Sequence, residues 1–287
     1  RLEGIRDGLS EHDMRTISEE ADRLQREAGT PNTPEALNTL PQLRRADLPE
    51  RPTPIPTTVH PLGDESQFLF NDVFANGVNY LELHLDLDGL PDELWIHLPR
   101  YLETLNRLGA AGCDYAATAR RVSAVTGAFS CGTSFAGHMV NPERTRKGVV
   151  ITLKTLDDQL EEALELLHDK VFSADPRDMT RLRDILRQQV SRMQTGLVSN
   201  GPSTAVTHLG AGMTEVGFLQ EQMRGLSQYA ELKRLNIDLA TDFDTLVDRV
   251  EAIADFARNR RRVTVSFTGD PDRARYVRET MASWLND

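Results

Sequence analysis

The sequence predicts an α+β fold: a largely antiparallel sheet with helices packed on one face, preceded by a helical and proline-rich linker. Three observations carry that expectation. Leu81, Leu83, Leu85 and Leu87 alternate with Glu82, His84, Asp86 and Asp88, the period-two signature of a half-buried strand. Leucine-rich helical patterns run almost unbroken from residue 160 to residue 253. Strands and helix runs are segregated rather than alternating one for one, which argues against a doubly wound parallel sheet.

The elements follow in order. Residues 1 to about 28 read as a helix, with Ser18-Glu19-Glu20-Ala21 opening a charged run that Gly29 and Pro31 end. The helix is polar nearly all round, so it lies on a surface or packs against a part outside this chain. Pro49, Pro52, Pro54, Pro56 and Pro61 crowd the next stretch, and residues 46 to 62 read as a stiff, polyproline-like connector. The expected division is therefore a linker segment over 1–62 and a compact domain over 63–287. Within the domain, Gln67 to Val73 reads as a strand joined through Asn76-Gly77 to the leucine-alternating strand, as its pairing partner. Leu94, Leu98, Tyr101, Leu102 and Leu105 share a helical face closed by Gly109, and Pro99 marks a kink or a helix start. A helix over Asp114 to Val125 and strands over Ala128 to Met139 and Lys147 to Leu153 come next. Helices with faces at Leu160/Ala163/Leu164/Leu167 and at Leu182/Ile185/Leu186/Val190/Met193 lead to shorter ones over 201 to 235. A further helix carries Phe243 to Ile253, then a strand carries Val263, Val265 and Phe267. Asp270-Pro271 caps a closing helix that holds Trp284 and Leu285.

At 287 residues the chain is long enough to bury a sizeable core without a metal or disulfide staple. Its net charge of −11 argues against a nucleic-acid partner, whose phosphates need a positive surface. No apolar run approaches the ~20 residues of a membrane span, so no membrane partner is expected. Cys113 and Cys131 form no CxxC pair; buried, reduced thiols are the expectation, and with no signal peptide they point to a cytoplasmic location. Four of the 33 basic side chains are lysine and the remaining 29 arginine, a bias expected of a GC-rich bacterial genome. The opening Arg-Leu-Glu-Gly-Ile-Arg, without methionine, implies a chain cut from something longer.

No self-contained active site emerges from the residues. The seven histidines (12, 60, 84, 97, 138, 168 and 208) include no pair three or four apart, so no helix turn presents a zinc-binding pair. His84, Asp86 and Asp88 precede Gly89, but a calcium loop opening at His84 would put Trp95 where a bidentate Glu belongs, so a solvated strand face is the better reading. Gly210-Ala211-Gly212 lacks the third glycine of a phosphate loop, and Ser130 and Ser134 lie at no nucleophile elbow.

Three segments together carry a resemblance. They are Thr33-Pro34-Glu35-Ala36-Leu37 through Leu40-Pro41-Gln42-Leu43 to Ala46-Asp47-Leu48-Pro49; Asn76-Gly77-Val78-Asn79-Tyr80-Leu81-Glu82-Leu83 through Leu90-Pro91-Asp92-Glu93-Leu94; and Leu105-Asn106-Arg107-Leu108-Gly109 with Asp114-Tyr115 and Thr126-Gly127-Ala128. In order and spacing they resemble the presequence protease branch of the pitrilysin/insulinase-type zinc metallopeptidases, where the helical hairpin between the two halves meets the third of four homologous domains. The resemblance implies a clamshell that closes around short, unstructured peptides. Zinc would sit on an inverted His-x-x-Glu-His helix of the first domain, outside this segment. Anchored on Gly109, that motif falls over Arg100-Tyr101-Leu102-Glu103-Thr104: Glu103 matches the base, while Arg100 and Thr104 replace both histidine ligands. Glu162 or Glu165 would fall near the third ligand. The resemblance thus implies a non-catalytic domain, inactive in isolation, of a zinc metalloendopeptidase. It would form one wall of the peptide chamber against the catalytic N-terminal half of the same polypeptide. The alternative is a stand-alone, non-enzymatic scaffold or peptide-binding protein of the same fold, and a weaker one is an unrelated hydrolase with a scattered site.

Overall fold

The computed structural model describes residues 8–51, 53–63, 65–141, 144–258 and 262–286. The chain divides into two compact units, Arg1–Pro54 and Ile55–Asp287. The first holds helix α1 (Glu11–Gly29), the short helix α2 (Pro34–Asn38) and a 3-10 turn at Arg45–Asp47. Ser10, not Ser18, opens α1: its hydroxyl accepts from the Asp13 N–H while the Asp13 carboxylate accepts from the Ser10 N–H, a reciprocal cap for two otherwise orphaned donors. Residues 1–7 of the expected helix lie outside the described residues. No residue of α1 or α2 is buried.

The second unit is built on a six-stranded sheet of order β1-β2-β6-β3-β5-β4. The strands are β1 (Thr57–Pro61), β2 (Gln67–Asn71), β3 (Val78–Asp86), β4 (Ala128–Gly137), β5 (Thr145–Leu156) and β6 (Val263–Thr268). All neighbours are antiparallel except β2 and β6. Two sequence expectations fail here. The connector does not stay polyproline-like to residue 62, because Thr57–Pro61 pairs with β2 as an edge strand, where proline is tolerated. Nor does β2 pair with β3. The late strand β6 inserts between them, since Val263, Val265 and Phe267 are all buried and need the centre of the sheet.

Register explains why one face is dry. Pairing lines up Phe129, Leu153, Leu81 and Phe267 in one cross-strand row, and Cys131, Ile151, Leu83, Val265 and Phe68 in the next. Those rows are covered by the helices. Each fully buried leucine, isoleucine or phenylalanine contributes ~1.5–3 kcal/mol of transfer free energy.

The covering helices are α3 (Leu98–Arg107), α4 (Tyr115–Val125), α5 (Leu160–Ser173), α6 (Met179–Ser199), α7 (Gly201–Gly210), α8 (Glu215–Arg224), α9 (Leu226–Ala257) and α10 (Pro271–Asn286). Pro99 does mark a helix start: a 3-10 turn over Asp92–His97 hands directly to α3, where proline in the first turn loses no hydrogen bond. The expected break between a helix ending near 235 and another around 243–253 is absent. Residues 226–257 contain neither Gly nor Pro, and a single helix of 32 residues, ~48 Å at 1.5 Å per residue, runs through. It buries Leu232, Leu235, Leu239, Leu246, Val250 and Ile253 against α6, α8 and α3. Both cysteines are free, but Cys113 is exposed, not buried as expected. Among the described residues, no helix is long and apolar enough to cross a membrane.

Candidate functional site

The sheet's other face is open. The side chains between the buried rows form polar rows: Ser130, Thr152, Glu82 and Ser266, then Gly132, Val150, His84 and Thr264. Together with Glu65, Asp86, Asp88, Arg146 and Arg262 they line a groove of about 840 Å³. His84 sits at its centre. The Arg146 guanidinium Nη2 lies 2.6 Å from Nδ1 and donates to it, so the neutral ring carries its proton on Nε2, 3.4 Å from Glu82 Oε2. Burial, and then the Arg146 charge, push the His84 pKa below its ordinary value, against the pull of Glu82. At the rim, Lys147 bonds Asp88 at 2.8 Å and Glu215 at 2.6 Å. Burial disfavours its charge, but the two carboxylates outweigh that and hold its pKa up. Arg262 lies 3.8 Å from Asp86 and donates to the Asp88 carbonyl at 3.2 Å. The groove thus offers fixed donors and acceptors of both charges on an extended surface, suited to an extended polar chain. The sequence pointed to the outward face of β3; that β5 and β6 extend it was not legible, because it depends on register between distant strands.

The positions set over the zinc motif lie elsewhere, on α3 under the helical layer. Arg100 is 2% exposed. Burial pushes its pKa down to about 10, opposed by Glu103 and Glu231, so at neutral pH it remains a cation. The Glu103 carboxylate accepts from Arg107 at 3.3 Å and from Gln189 Nε2 at 2.6 Å, and the Thr104 hydroxyl donates to the Arg100 carbonyl at 2.9 Å. A permanent cation, an engaged carboxylate and a hydroxyl already donating do not fit a Zn²⁺ site. Glu162 is exposed, and Glu165 pairs with Arg121 at 3.6 Å. Among the described residues, no three His, Cys, Asp or Glu side chains converge as a metal-binding group.

The histidines are dispersed. His97 is buried, with Nε2 accepting from Arg249 at 2.8 Å; His168 packs edge-on to Trp284 with ring centroids 5.1 Å apart; His208 bonds Glu221 at 3.0 Å. Ser130 and Ser134 lie on β4, and Gly210-Ala211-Gly212 ends α7 and enters a turn, not a strand-to-helix loop.

Comparison with known proteins gives this architecture its class. The family described as peptidase M16, subfamily C, associated matches residues 1–235, and the chain belongs to it. Presequence protease 1, chloroplastic/mitochondrial, of Arabidopsis thaliana is 24% identical over 285 residues, covering 99% of this chain and 26% of that protein. Protein HypA of Clostridium perfringens is 24% identical over 269 residues, covering 94% of this chain and 27% of its own length. This chain spans about a quarter of the length of these relatives. A conserved protein from Enterococcus faecalis V583 shares the fold, with a TM-score of 0.57 at 13% identity over 78% of this chain and 51% of that one.

Proposed function

We propose that this chain is a non-catalytic part of a zinc-dependent peptidase acting on short, unstructured peptides. It would wall one side of the peptide chamber and pack against a catalytic N-terminal half of the same polypeptide, which would hold the zinc. Arg100, Glu103 and Thr104 are then the degenerate counterpart of the zinc motif. The observation that carries the reading is the open sheet face: an 840 Å³ groove with Glu65 and Glu82 available to basic side chains. Peptide segments rich in arginine or lysine suit it, as does the chain's net charge of −11. The free cysteines support a cytoplasmic home.

The test joins two measurements. A fluorescently labelled, unstructured basic peptide is titrated into the 287-residue chain and into its Glu82→Gln variant, and zinc content and cleavage are measured on the same samples. Weak, salt-sensitive binding that Glu82→Gln reduces, without cleavage, is expected. Cleavage with stoichiometric zinc in this chain alone would overturn the proposal, as would binding indifferent to Glu82.

A further inference from the structure

The two edges of the sheet are treated differently by the sequence. On one side β1 is five residues long and ends in Pro61. On the other, β4 offers ten residues, and residues 128–137 contain neither proline nor a charged side chain. Such an edge is a template for another strand unless something covers it. Backbone parity shows which groups it presents. Beyond the end of β4, His138 N–H donates to the Arg144 carbonyl, in register with the β4–β5 ladder. Even-numbered residues therefore bond β5, and the backbone of Phe129, Cys131, Thr133 and Phe135 faces outward.

Asn106, on α3, meets that outward row at its middle. Its Nδ2 donates to the Cys131 carbonyl at 3.0 Å, and its Oδ1 accepts from the Cys131 N–H at 2.9 Å. This is the pair of bonds that one residue of an adjoining antiparallel strand would make. The amide is itself held, since Nδ2 also donates to the Leu102 carbonyl at 2.9 Å. A strand joining β4 would have to displace it to continue past Cys131.

We infer that Asn106 is a strand mimic that closes the β4 edge to addition of the same edge from a second copy of this chain. A second copy is the fitting occupant because β4 is uncharged. Two such strands can meet antiparallel about a two-fold axis without placing like charges opposite one another. The edge then becomes an isologous dimer interface whenever the amide is removed.

The experiment compares the native chain with Asn106→Ala and with Asn106→Ala/Thr133→Pro by sedimentation across a concentration series, with residue-resolved amide exchange on the native chain. Thr133→Pro removes an outward N–H that β5 does not need, and so should block an incoming strand. The native chain should be monomeric, with the Cys131 amide exchanging more slowly than those of Thr133 and Phe135. Asn106→Ala should lower the dimer dissociation constant at least about tenfold, matching two net hydrogen bonds, and the double variant should restore the monomer. Monomeric Asn106→Ala at every concentration, or dimers untouched by Thr133→Pro, would overturn the inference. If Asn106→Ala does not fold, the exchange pattern of the native chain decides: equal rates at Cys131, Thr133 and Phe135 would overturn it.

Discussion

Replacing Lys170 should reshape the alkaline stability of this protein. The side chain stands on α5 and is 1% exposed, with Nζ donating to the Leu108 carbonyl at 3.0 Å, where α3 ends. Burial pushes its pKa from 10.5 down to about 8. The native state therefore holds this proton less firmly than the unfolded chain, and below pH 8 the cost is fully present. Between pH 8 and 10.5 the unfolded state binds more protons, so this group makes stability rise with pH. At ~1.4 kcal/mol for each pH unit, the fall from 10.5 to about 8 is worth about 3 kcal/mol. Cys131 works in the opposite sense. Burial pushes its thiol up to about 12, so its contribution is lost as pH rises from the ordinary thiol range towards that value. The comparison is cleanest in a Cys131→Ala background, with and without Lys170→Met. Urea unfolding at pH 7, 8, 9 and 10 should show the lysine chain gaining about 3 kcal/mol on the methionine chain across that range. At pH 7 the methionine chain gains less than this, because the Leu108 carbonyl loses its donor. Parallel stability curves would refute the reasoning.

Other outcomes follow from the same structure. His97 is held near pKa 4 by burial and by Arg249, so its contribution is present above its ordinary value of 6.5 and lost as pH falls towards 4; His97→Gln should flatten the slope of stability between pH 6.5 and 5 in urea unfolding. Leu153 is 0% exposed on β5, and Leu153→Ala should cost ~2–5 kcal/mol, read as a lowered urea midpoint with an unchanged slope. Gly109→Ala would place a methyl 2.2 Å from the Cys113 carbonyl oxygen, so the backbone must move; a fall of several degrees in melting temperature is expected, against little change for Gly196→Ala, which meets nothing within 4 Å.

Local chemistry was legible wherever one residue type forces one conformation. The alternation through β3, the Asp114 cap that accepts from Ala117, Pro99 at a helix start and the Asp270-Pro271 opening of α10 all follow from neighbours a few positions apart. Long-range choices were not legible. Asn76-Gly77 reads like a hairpin between β2 and β3, yet the more apolar β6 takes the place between them. Nothing within residues 98–107 announces that Arg100 is buried while Glu103 pairs with Arg107 and Gln189; that depends on which helices close over α3.

By itself the sequence determined the class of the fold, most of its helices and strands, and which side chains of β3 face water, because helix and strand periodicities separate wet from dry faces within a single element. Tertiary structure alone decided the strand order, the groove that Glu82, His84 and Arg146 share, and the seating of Asn106 against Cys131. Those depend on register and packing between segments as many as 182 residues apart, such as Glu82 and Thr264, where burial of whole apolar rows outweighs any local preference.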